Sequence, residues 1–334
     1  MNEIVFKRYL KILIVAFIAF LLPVIFNFEF LDIDDTIHLH DNLNLNSLSG
    51  LATLWSSPYF DLYIPVTYTF WALVKYIFGL HAGVFHLFNL FFHILNSYLV
   101  FILIKNQLRV RNVEIVAVFS SLLFLVHPFS GSAIGWISEF RGVLGFTFFL
   151  LDLLALPKFL SSKRSKSVFW GLIVVIVAAF AMLAKPVFIV TPLCIIALSR
   201  SDSLRTFKLW YVITIQLVLS FGTYLITSTA QVVSLPKVAL ESQLVLVFSN
   251  LGFYFSKLFL PFDLALDFGL TVEQMSQLRL ETILGALVLV ALLLTLFFTK
   301  TNLRFYFLTS FLMLMPTLGV LPFAYQYYNT VALS

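Results

Sequence analysis

The sequence predicts an all-α, polytopic membrane protein, and three observations carry that prediction. Of 334 residues, 61% are hydrophobic and 11% charged, against about 45–50% and about 25% in soluble domains. The apolar residues run in stretches of about 20 and do not alternate, which suits membrane helices and not the strands of a membrane barrel. The basic residues gather in a few short segments between those stretches, as loops on one side of a membrane would hold them. This composition excludes a soluble enzyme, a disordered chain, a fibrous repeat and a nucleic-acid binder. The formal net charge of +5 therefore reports on topology, not on a polyanionic partner.

The elements follow in order. Lys7, Arg8 and Lys11 precede the apolar stretch Ile12–Ile25. Pro23, Asn27 and bulky phenylalanines stand where a cleavage site would need small residues. The expectation is an uncleaved first span with a cytoplasmic N-terminus. No Lys or Arg occurs between Ile12 and Val74, whereas Glu29, Asp32, Asp34, Asp35, Asp41 and Asp61 do. Residues 29–82 are thus expected to form the first extracytoplasmic loop. Within it, 63–80 carries Tyr63, Pro65, Tyr68, Trp71 and Tyr76, the composition of an interfacial helix. A crossing there would also strand the basic segment 105–111 on the wrong side.

The second span is 83–104. Further spans are expected at about 113–127, 139–157, 168–184, 187–199, 206–228, 281–299 and 303–322, with a break at Lys185-Pro186. The region 229–280 reads as a second extracytoplasmic or re-entrant segment. The whole is a single transmembrane domain over 1–334 with about 9–11 membrane helices. The plasma (inner) membrane is the expected location, with the basic segments cytoplasmic. The lone cysteine, Cys194, allows no intramolecular disulfide.

Ionisable residues in such a chain are expensive, so each is a functional candidate. Asp34 and Asp35 lie in a short acidic stretch with His38 and His40, just beyond the first span. A carboxylate there would serve as a general base or a metal ligand. A divalent metal at Asp34, Asp35 and His38 is the weaker alternative, because the spacing is not diagnostic. In span 83–104, His86, Asn89, His93 and Asn96 fall within about 80° of one another on a helix. They should line a groove or bond to neighbouring helices. His127-Pro128 ends the next span. Arg141, Lys185 and Lys257 are isolated cations that suit a phosphate; an Arg–carboxylate packing pair is the competing explanation for Arg141. Asp152, nearer the cytoplasmic end of its helix, reads as structural.

This order of features resembles the GT-C superfamily of membrane glycosyltransferases. Within it, the closest likeness is to the transmembrane, tetratricopeptide-repeat-containing O-mannosyltransferases and their bacterial relatives. The matching pieces are Asp34-Asp35-Thr36-Ile37 with Asn42, Tyr63-Ile64-Pro65-Val66, Phe85-His86 through Asn89 to His93, His127-Pro128, Trp136-Ile137 with Arg141, Ala184-Lys185 with Pro192, and Lys257 with Pro261-Phe262-Asp263-Leu264. The chain departs at Ile64, where the family usually has Arg.

The resemblance implies an inverting glycosyltransferase that moves a sugar from a polyprenyl-phosphate donor to an acceptor hydroxyl on a protein, lipid or glycan at the extracytoplasmic face. Asp34 would be the general base and Asp35 its support. Arg141, Lys185 and Lys257 would hold the donor phosphate. His38, Tyr63, His86, Asn89, His93 and His127 would line the substrate groove. No cofactor is required. The rival readings are a polyprenyl-linked glycan flippase or transporter and a non-catalytic membrane scaffold. The expected partners are the donor lipid, the acceptor and membrane lipids, with no nucleic acid.

Overall fold

The computed structural model describes residues 22–32, 34–199, 206–230, 240–262, 264–265, 279–298 and 303–319. The first span, Ile12–Ile25, therefore lies mostly outside the described residues, as do parts of 229–280 and of 303–322. Among the described residues the chain is helical, and its β pairing is one isolated bridge between Tyr59 and Leu62.

A π-helical turn at Thr36–His40 and a 3-10 turn at Leu43–Asn46 lead into α1 (Leu48–Ser56) and α2 (Pro65–Phe78). Pro65 opens α2 at a position whose N–H would have no partner. Gly79 closes it at φ +75°, a conformation that other residues adopt at a cost. The helix packs Tyr68 and Trp71, each 1% exposed, against the turn and the bundle while leaving Tyr76 in the open. Burying an aromatic of that size contributes about 2–3 kcal/mol. This one-sided helix lies outside the set long and apolar enough to cross a membrane.

The bundle follows as α3 (Ala82–Gln107), α4 (Val113–Val126), a short α5 (Ser130–Gly135), α6 (Phe140–Ser161), α7 (Ser165–Ala184), α8 (Thr191–Leu198), α9 (Phe207–Ala230), α10 (Leu240–Phe259), α11 (Arg279–Phe298) and α12 (Leu303–Leu314). Five segments among the described residues are long and apolar enough to span a membrane: α3, Ile137–Ser161, α7, α9 and α11. These five make the protein membrane-embedded. Three expected crossings correspond to shorter apolar helices, Val113–Val126, Pro186–Leu198 and Tyr306–Thr317, and the region expected to be extracytoplasmic or re-entrant holds a fourth, Gln243–Phe259. A 14-residue helix such as α4 is about 21 Å long, short of a hydrocarbon core of about 30 Å. The 185–186 break has the expected cause: Pro186 and Pro192 start new turns at Pro186–Val190 and Thr191–Leu198.

Two cores meet along the bundle. One joins the lower parts of α3 and α6 to α7, α8 and α9 through residues such as Leu103, Phe149, Leu153, Met182 and Val212. The other joins the turn, α1, α2, the start of α3 and Ile137–Phe140. The α3 stripe sets their register. Its side chains bond in sequence to Ile134, Trp136 and Val143 as the chain passes from α5 into α6, so α3 and α6 run side by side in one direction. Lys105 and Lys158 consequently share an end of the bundle. Lys208 joins them by donating to the Ser162 carbonyl at 2.6 Å. The acidic loop caps the other end. Among the described residues, Lys105, Lys158 and Lys208 thus stand at one end of the bundle and the acidic loop at the other.

Candidate functional site

Four charged side chains from three parts of the chain form a line at the seam between loop and bundle. Asp34 comes from the loop, Glu139 and Arg141 from the start of α6, and Lys185 from the residue that ends α7. Arg141 Nη2 donates to Asp34 Oδ2 at 2.9 Å and lies 3.8 Å from Glu139 Oε1. Lys185 Nζ donates to Glu139 Oε2 at 3.2 Å. The signs alternate, so the set is neutral. Asp34 is the most open at 19% side-chain exposure, with Lys185 at 13%, Arg141 at 11% and Glu139 at 5%. Charges this far from water hold together only if paired.

Local structure explains the meeting. The turn Ile137–Glu139 brings Glu139 to the first turn of α6 and leaves Gly142 one turn on. A methyl on Gly142 would lie 3.1 Å from Glu139 Oε2 and 3.3 Å from Lys185 Nζ. The glycine thus admits the Glu139–Lys185 pair against the helix. Thr67 of α2 donates to the Ala184 carbonyl at 3.0 Å, which fixes α2 beside Lys185.

Asp35 points the other way. It is fully buried, and Oδ1 accepts from the Ser138 amide (2.8 Å) and hydroxyl while Oδ2 accepts from the Leu31 amide at 3.1 Å. Burial raises its carboxyl above the ordinary range, and the hydrogen bonds from Ser138 and Leu31 pull it partly back. Its geometry is that of a clamp, tying the loop to the turn that carries Glu139 and thereby placing Asp34.

His38 is buried and shares a 2.8 Å hydrogen bond with the Tyr68 hydroxyl. Tyr59 and Phe60 stand edge-on to its ring. Burial holds His38 at about 4, with nearby Arg141 pushing the same way and Asp34 opposing, so the ring is neutral at pH 7. Phe60 is held at φ +41° and is 63% exposed.

The remaining expected site residues hold helices together. The Tyr63 hydroxyl donates to the Trp55 carbonyl at 2.9 Å, joining α1 to α2. His86 bonds the Ile134 carbonyl at 2.9 Å. Asn89 donates to Ala133 and Trp136 carbonyls at 3.0 and 2.8 Å. His93 bonds the Leu125 carbonyl at 3.1 Å and stacks on Phe124. Asn96 donates to Val143 and accepts from Thr147. The stripe faces the bundle interior, as its spacing requires, and its bonds run between helices. His127 bonds the Leu258 carbonyl at 2.9 Å, linking α4 to the end of α10. There Lys257 donates to the Phe262 carbonyl and lies over the Phe253 ring.

The loop has a second face. A groove of about 750 Å³ is lined by Phe26, Phe28, Glu29, His40 and His81 among others. Among the described residues, no three His, Cys, Asp or Glu side chains are placed to hold one metal ion. His38 gives its Nδ1 to Tyr68, and His40 gives its Nδ1 to Asp41 at 2.6 Å.

The site also holds Glu139, Ser138, Gly142 and Thr67, which are not among the residues expected from the sequence, and Tyr68, expected only as part of a helix in the loop, bonds His38. One signal pointed to Glu139: an acid two residues before an isolated arginine, opening an apolar helix. Comparison of the chain with family models, curated proteins and solved structures finds no match.

Proposed function

We propose that the chain is an inverting glycosyltransferase of the GT-C kind, using a polyprenyl-phosphate sugar at the extracytoplasmic face of the plasma membrane. The observation that supports this most is the meeting of a partly exposed carboxylate, Asp34, with the cations Arg141 and Lys185 at one end of an apolar bundle. The family likeness in sequence supplies the identity of the donor.

In this reading the lipid phosphate docks at Arg141 and competes with Asp34 for the guanidinium. Asp34 then accepts the proton of the acceptor hydroxyl. The acceptor oxygen bonds to the anomeric carbon from the side opposite the lipid phosphate, and the bond from that carbon to the phosphate oxygen breaks. The electron pair leaves with the phosphate, so no general acid is needed. Arg141 and Lys185 stabilise its charge in a setting with little water. Glu139 keeps the two cations in place before the donor arrives. Asp35 acts by placing Asp34, and His38 and Tyr68 wall the site with neutral groups. The acceptor is a hydroxyl of a protein, a lipid or a glycan.

A placed base contributes about 10²–10⁴-fold. Asp34→Asn is expected to lose that much transfer of labelled sugar from polyprenyl phosphate to acceptor, with the fold intact. Normal transfer by this variant would defeat the proposal.

A second reading, a non-catalytic scaffold, draws on one observation: Arg141 and Lys185 already have carboxylate partners within the chain. It requires wild-type protein to bind no polyprenyl phosphate, and a binding measurement with that lipid separates the two.

A further inference from the structure

Asp152 and Gln216 face each other deep in the bundle, away from the charged line. Asp152 lies about 18 Å along α6 from Phe140 and about 14 Å from Ser161, and Gln216 about 14 Å into α9. Both are fully buried. Gln216 Nε2 donates to Asp152 Oδ2 at 3.1 Å. The other two oxygens of the pair, Asp152 Oδ1 and Gln216 Oε1, have no hydrogen-bond partner in the chain. The surrounding core is apolar, built from Leu153, Leu156, Ala178, Met182 and Val212, with Cys194 its titratable member. Lys158 lies over Trp170 and Lys208 bonds Ser162, at the basic end of the bundle.

Two unpartnered acceptors on one bonded pair lack a donor, and a single proton supplies it. An ionised carboxylate here would leave both oxygens unsatisfied in an apolar medium, the costliest arrangement available. We infer that Asp152 carries a proton on Oδ1 and donates it to Gln216 Oε1, closing an acid–amide ring that locks α6 to α9 within the membrane. One proton then satisfies both oxygens and removes the charge. The ring ties the helix that carries Glu139 and Arg141 to α9 without placing an ion in the bilayer. It is a neutral lock and not a station on an ion or proton path, although intramembrane carboxyls commonly mark such paths. The inference is independent of the glycosyltransferase reading.

Infrared spectroscopy of the full chain in lipid bilayers, with isotope-labelled aspartate, tests it. The expected result is a protonated carboxyl band that persists from about pH 5 to about pH 9, where an ordinary aspartate is ionised, and that disappears in Asp152→Asn. Asp152→Asn keeps an amide–amide ring and should leave the thermal unfolding midpoint unchanged, while Asp152→Leu lowers it by several degrees. Absence of the band, its titration within that range, or equal loss of stability in both variants would overturn the inference and indicate a carboxylate held by water or a cation.

Discussion

The Glu139–Lys185 pair allows a quantitative test of the charged line. At 3.2 Å and an effective dielectric of about 20, the attraction is about 5 kcal/mol. Desolvation offsets part of it, and removing one partner of a buried pair costs about 3–5 kcal/mol because the other charge is stranded. Glu139→Gln leaves Lys185 13% exposed with no opposite charge at contact, so a loss of about 3 kcal/mol is expected. Lys185→Met leaves Glu139 its second cation, Arg141, at 3.8 Å, and should cost about half as much. The double variant keeps the Asp34–Arg141 pair and strands nothing, so it should return to within about 1 kcal/mol of the parent. The coupling energy is then about 4 kcal/mol, read from a double-mutant cycle of reversible unfolding in mixed micelles. Additive losses in the double variant would refute the reasoning, since they would mean that the two side chains do not share a desolvated contact.

Other outcomes follow from single contacts. Replacing a helical glycine by alanine gains about 0.5–1 kcal/mol where there is room. Gly222→Ala, with nothing within 4 Å of the new methyl, should show that gain. Gly142→Ala, which presses on Glu139 and Lys185, should not, and equal gains in the same unfolding assay would count against the packing described. His38 is held neutral by burial, at about 4 against an ordinary 6.5. The unfolded chain therefore binds the extra proton first, and the stability contributed by the neutral ring is complete above about pH 6.5. It is lost as pH falls from there toward about 4. Protease cleavage in the loop should accelerate over that window and lose that acceleration in His38→Gln; a pH-independent rate in the parent chain would exclude the buried neutral ring.

Much of the architecture was legible in composition and spacing. Apolar runs long enough to cross a bilayer announced α3, α6, α7, α9 and α11. The one-sided aromatic pattern separated α2 from them. The 100° step placed His86, Asn89, His93 and Asn96 on an inward face, because a polar stripe cannot face lipid cheaply. The run behind α4 matched its helix, Val113–Val126, to within a residue, but an apolar run shows what is withdrawn from water, not whether a lipid tail or another helix covers it.

The site was legible only as a set of costly residues. An isolated arginine and an acidic loop in an apolar chain each demand a partner, which is why Asp34 and Arg141 stood out. That they bond each other across 107 positions of sequence, that Glu139 joins Lys185 across 46, and that Asp35 turns inward to Ser138, depends on how the loop settles on α6. Local rules carry no information about that. Helix formation and membrane burial are determined by neighbours within a turn or two, and the sequence alone settled both. The pairing of charges depends on distances of about 3 Å between remote segments, and only the packed bundle sets those.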